Sequence, residues 1–117
     1  MTTSPQCDHL KGYSGPTNLA LALDKTGRLT KAKIIESSDT PDHVQSVVDD
    51  PNFWKAHLGL SLGSPGHPKI DAVTGSTLTS EAISRSIIER LGGLTTSRLF
   101  PTEILAAEIP EADTIEK

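Results

Sequence analysis

Residues 17–24, TNLALALD, alternate without a break: Leu19, Leu21 and Leu23 fall on one side and Asn18, Ala20 and Ala22 on the other. Period-two alternation is the mark of a strand with one buried face. DKTGR follows, with Gly27 placed for positive φ in a tight turn, and LTKAKIIE then returns with Lys31 and Lys33 outward and Ala32 and Ile34 inward. Thr17–Glu36 is therefore predicted as an antiparallel hairpin. The period then changes. Pro41, preceded by Asp39 or Thr40 as cap, opens a short helix carrying Val44, Val47 and Val48, and Pro51 opens another with Phe53, Trp54 and Leu58 inward. IDAV reads as a brief strand. TSEAISRSIIERLGG is the strongest helical pattern: Ile83, Ile87 and Leu91 recur at i, i+4 and i+8, Glu81, Arg85 and Glu89 line the opposite face, and Gly92–Gly93 end it.

These elements predict an α+β fold, a small antiparallel sheet packed with helices in a single domain. The polar stretch 1–11 reads as a flexible arm, 12–100 as the folded domain with Leu99 and Phe100 packing at its end, and 101–117 as an acidic tail. The chain of 117 residues is 35% hydrophobic and 3% aromatic, so its core is small and aliphatic, and a bound cofactor can form part of the interior. With a net charge of −4 and no basic stripe, nucleic acid is excluded as a partner. Cys7 stands alone, which excludes an internal disulfide and a Cys-rich metal centre. Cys7 and His9 are too few for a metal site, and His9, His43, His57 and His67 show no ligand spacing; each reads as a surface or hydrogen-bonded residue. No apolar run is long enough to span a bilayer and no signal peptide is evident, so the chain as given reads as soluble, whether whole or cut from a membrane protein.

The stretch DAVTGSTLTS, Asp71–Ser80, places five hydroxyls at the mouth of the strongest helix. Thr79 or Ser80 is expected to cap that helix. A cap leaves Thr74, Ser76 and Thr77 unexplained. Hydroxyls around a glycine at a helix N-terminus suit a phosphate, since free N–H groups and the helix dipole favour an anion and Gly75 lets the backbone approach it. GSPGHPK is not a P-loop, because its spacing fails and the Ser/Thr after the lysine is missing.

Asp71, Thr74, Gly75 and Thr77 also match the signature Asp-x-x-Ser/Thr-Gly-Ala-Thr/Ser, with Ser76 at the usual alanine. The chain thus resembles the FMN-binding domain family, which includes subunits of the sodium-pumping NADH:quinone oxidoreductase and of the Rnf complex, and membrane flavoproteins linked to nitrous oxide reductase. GYSGP resembles the family's glycine-rich approach to its first strand, and SSDTPDHV its Glu-Thr-Pro-Gly segment, with Asp39 for the glutamate and Asp42 for the glycine. The resemblance runs from Gly12 to Gly92. It implies FMN as cofactor, joined through its phosphate to Thr77 by a flavin transferase that consumes FAD. It further implies electron transfer to a redox partner protein or membrane complex, an extracytoplasmic location, and no self-contained enzyme activity.

The expected cofactor contacts are Thr74, Gly75, Ser76, Thr77, Thr79 and Ser80, with Tyr13, Gly15, Asp39, Thr40 and Pro41 against the flavin ring. Asp71 serves transferase recognition or caps a turn. Tyr13 either meets the flavin or stands exposed, and Trp54 reads as a core anchor rather than a flavin stack. The rival functions are a non-covalent FMN or phosphate module and a cofactor-free interaction domain.

Overall fold

The computed structural model describes residues 1–66 and 70–93. Two strands, β1 (Thr17–Leu23) and β2 (Leu29–Ser37), form an antiparallel sheet, followed by α1 (Pro41–Val48), α2 (Pro51–His57) and α3 (Thr77–Arg90). The predicted α+β architecture holds. Leu19 pairs with Ile34 and Leu21 with Ala32, which puts the apolar members of both strands on one face, and two register shifts twist the ribbon near its ends. Leu19, Leu21 and Leu29 pack with Ile83 and Ile87 of α3, Leu91 at its C-cap, Val47 of α1, Phe53 of α2 and Val73. Leu23 is only half-buried.

Both short helices start at their prolines. Asp50 caps α2, its carboxylate accepting from the N–H groups of Asn52 and Phe53 at 3.0 and 3.1 Å. Trp54 is a core anchor, as its spacing suggested: its indole N–H donates to the Val47 carbonyl at 2.8 Å and its ring meets Phe53 edge-on. Leu58 and Val48 are exposed, because α2 ends at His57 and α1 shows the core little more than Val47. Ile70–Val73 forms no strand, in contrast to the brief strand its pattern suggested. Val73 is buried and its N–H donates instead to the Ser80 hydroxyl at 3.2 Å.

Residues 1–11 were expected as a loose arm, and here the structure differs. Thr2 bridges Ala20, the Thr3 N–H donates to the Leu19 carbonyl at 3.0 Å, and Thr3, Cys7 and Leu10 are buried. The physical reason is an unpaired edge of β1, whose backbone groups find partners in the arm. The arm also reaches α3, where the Arg90 guanidinium donates to the Thr2 carbonyl at 2.7 Å and His9 lies 3.3 Å from Glu89. Arg85 and Glu89 pair at 3.7 Å as expected for i, i+4, but Glu81 is buried rather than solvated, because α3 is enclosed on more than one side. His67, Leu99, Phe100 and the acidic tail lie outside the described residues.

Candidate functional site

The site is built where the 12–16 loop, the turn before α1 and the first turn of α3 meet. Helix α3 starts at Thr77, earlier than a cap at Thr79 or Ser80 allows. Ser76 is the N-cap residue, and its side chain makes no capping hydrogen bond. Thr79 and Ser80 are engaged elsewhere. Thr79 Oγ1 donates to Asp39 Oδ2 at 2.7 Å, and Ser80 Oγ donates to the Thr77 carbonyl at 3.1 Å while accepting from Val73. The expected caps thus serve other ties, and the N-cap side chain leaves the N–H groups at the mouth of the 14-residue helix without its hydroxyl.

The signature loop divides by exposure. Asp71, Thr74 and Gly75 are exposed, whereas Ser76 and Thr77 are buried, Thr77 at 0% relative exposure. Gly75 has φ 80°, the left-handed region, and nothing lies within 4 Å of where its side chain would begin. The loop therefore turns sharply and leaves open space in front of its backbone. Ser76 Oγ is buried with no hydrogen-bond partner among the described residues. An uncompensated buried hydroxyl costs about 1–3 kcal/mol, so this one stands ready for an acceptor.

Asp39 organises the other side. Its carboxylate is 5% exposed. Oδ1 accepts from the N–H groups of Tyr13, Ser14 and Thr40 at 2.9, 3.0 and 2.7 Å, and Oδ2 from Thr79. Any side chain at Gly12 would collide with Asp39 Oδ2 and press on the Thr79 backbone, so the loop approaches this closely only because residue 12 is glycine. Gly15 is buried, its carbonyl accepting from the Gly12 N–H at 3.2 Å. Thr40 and Pro41 set the start of α1, with Thr40 in extended backbone. The Tyr13 ring lies 4.0 Å, centroid to centroid, from that of His43 on α1, tilted by 50°. His43 Nδ1 is buried and without a partner among the described residues. Nothing along the chain signals this ring pair, since His43 stands out only once α1 folds back beside the loop.

A cavity of about 90 Å³ lies between the start of α2 and the signature loop, lined by Asp50, Asn52, Phe53, Ala56, Asp71 and Ala72. Asp71 belongs to this face, apart from the Asp39 cluster. His57, the last residue of that helix, is fully buried. Its Nδ1–H donates to the Phe53 carbonyl at 2.8 Å, leaving Nε2 to accept from Ser84 Oγ at 2.9 Å. Burial lowers its pKa to about 4, against a smaller opposing contribution from the Phe53 carbonyl. His57 is thus the hydrogen-bonded histidine that its lack of ligand spacing implied, and the described residues hold no group of three or more metal-ligating side chains.

A family model for the FMN-binding domain matches residues 12–91, more than half of the chain. The chain belongs to the FMN-binding domain family. FMN is its cofactor. Comparison with curated proteins and with solved structures gave no match. The matched segment of this FMN-binding domain starts at Gly12, where the loop meets Asp39, and ends at Leu91, the last core residue of α3. The residues at the mouth of α3 fit a phosphoryl group: an uncapped helix N-terminus, open space at Gly75 and the unpartnered Ser76 hydroxyl all offer donors to an anion. Among the described residues no helix is long and apolar enough to cross a membrane.

Proposed function

We propose that this FMN-binding domain carries its flavin covalently, as a phosphoester on Thr77, and works as an electron carrier. The observation that carries the proposal is the place of Thr77, the final hydroxyl of the Asp71–Thr77 signature and the first residue of α3. A phosphate held there meets uncapped N–H groups, the positive end of the helix dipole and Ser76 Oγ.

A threonine hydroxyl is a weak nucleophile and needs an external base or an activated phosphoryl donor. Attachment is therefore assigned to a separate flavin transferase. The Thr77 oxygen forms a bond to the FMN phosphorus of FAD, the pyrophosphate linkage breaks with AMP as leaving group, and the hydroxyl proton passes to a base of the transferase. Thr77 is buried, so the reaction requires the 71–76 loop, with its exposed Thr74 and Gly75, to open away from the mouth of α3.

Bound FMN supplies one- or two-electron transfer. The chain's own residues attach the phosphate, and Tyr13 with His43 offers an aromatic surface on the loop side. The redox partner is another protein or a membrane complex, with the domain placed outside the cytoplasmic membrane. The burial of Thr77 favours one second reading, non-covalent phosphate binding at Thr74–Ser76.

Co-production with a flavin transferase separates the two. The intact protein should gain the mass of FMN less one water and keep its flavin on a denaturing gel, and Thr77→Ala should lose both. Flavin that survives denaturation in Thr77→Ala overturns the assignment of Thr77. Flavin that washes out of the wild type under denaturation supports the non-covalent reading.

A further inference from the structure

We infer that Asp39 is the positioning residue of the flavin site: its buried carboxylate locks the Tyr13–His43 ring pair to the first turn of α3. The inference rests on the flavin reading above. Asp39 was expected to touch the flavin, but its oxygens point inward. Among the described residues five donors converge on them, from the 12–16 loop, the start of α1 and α3. No ion pair to Asp39 occurs among the described residues. A buried carboxylate without a cation has its lost hydration replaced only by those donors, so the three elements are fixed together or not at all.

Both rings depend on this carboxylate. The Tyr13 backbone is held by its own N–H, and His43 stands in the first turn of α1, whose approach is held by the Thr40 N–H. The Thr79 hydroxyl is the tie between that assembly and α3, two residues beyond Thr77. A flavin anchored by phosphate at the helix mouth meets rings whose place is set before it arrives, which is how a site gains orientation at low entropic cost. Gly12 supports the same reading, because the space that a side chain would take is occupied by Asp39 Oδ2.

Thr79→Val keeps the shape of the side chain and removes the tie. In the flavin-free protein, hydrogen exchange at the Tyr13 and Ser14 amides should rise about tenfold or more, with β1 and β2 amides unchanged. After co-production with transferase, the variant should still gain the flavin mass at Thr77, but its flavin fluorescence and reduction potential should differ from the wild type. Thr79→Ser should restore both. Thr79→Ala, which also removes the donor to Asp39 Oδ2, serves with the same outcomes if Thr79→Val does not fold. Unchanged exchange at Tyr13 and Ser14 overturns the inference. So does loosened exchange with fluorescence and potential identical to the wild type. A wild-type protein that takes up no flavin overturns the flavin reading and this inference with it; a loaded wild type beside an indifferent variant overturns this inference alone.

Discussion

The two ends of α3 are built from different materials. From its second turn to its C-cap it sends Ile83, Ile87 and the capping Leu91 into a sheet face of Leu19, Leu21 and Leu29, all nearly inaccessible and all hydrocarbon. Its N-terminal turn is equally buried, yet it carries Thr77, Thr79 and Ser80, with Ser76 ahead of it and Asp39 against it. The apolar end is stabilised by area removed from water and tolerates small shifts. The polar end has little such gain and depends on each donor finding its acceptor. The fold is held at one end of the helix and a geometry is held at the other.

Truncation tests that division most severely. Leu21→Ala should cost about 2–5 kcal/mol in denaturant melts, through lost transfer free energy and the cavity left behind. A loss near zero would place the core elsewhere. Acid should have the next largest effect, through His57. Its folded pKa of about 4 lies below the ordinary value of 6.5, so the unfolded chain binds the proton more readily. Its contribution is full above pH 6.5 and is lost as pH falls toward 4, a difference of up to about 3 kcal/mol. His57→Gln should flatten that part of the stability profile, and a wild-type profile already flat between pH 4 and 6.5 would contradict it. Thr79→Val should cost roughly 1–3 kcal/mol by leaving Asp39 Oδ2 without its donor, less than the leucine truncation although both sites are buried. The smallest effect is expected at Ser76. Removing an unpartnered hydroxyl should leave flavin-free stability unchanged or raise it by up to about 1 kcal/mol, while weakening retention of inorganic phosphate measured by titration. If Ser76→Ala destabilised the flavin-free protein by more than that, the hydroxyl would have a structural partner.

The apolar end was legible in the sequence because its signal is periodic. Leu19 and Leu21 repeat every two residues and Ile83, Ile87 and Leu91 every four, and each period names a face without reference to the rest of the chain. The polar end was legible only as composition. Five hydroxyls beside a glycine pointed to the mouth of α3, but no local rule says which of them caps, which ties to Asp39 and which remains unpartnered. Thr79 is diverted from capping by a carboxylate forty positions away in sequence. His43 left no trace because its relation to Tyr13 exists only after α1 packs. The arm misled for a related reason: MTTSPQCDHLK has neither period, and its order comes from the open edge of β1 rather than from itself.

That docked arm has a kinetic consequence. Cys7 donates to the Ser86 carbonyl and Arg90 to the Thr2 carbonyl, contacts that join residues 79 and 88 positions apart. A nascent chain cannot make them until α3 has left the ribosome. The hairpin is local and can form early, whereas closure of the arm onto β1 and α3 must await nearly the whole domain. Non-local contacts of this kind slow folding, since chain entropy is lost before they return any stability. Residues 1–11, made before the rest of the domain, are thus among its last to settle.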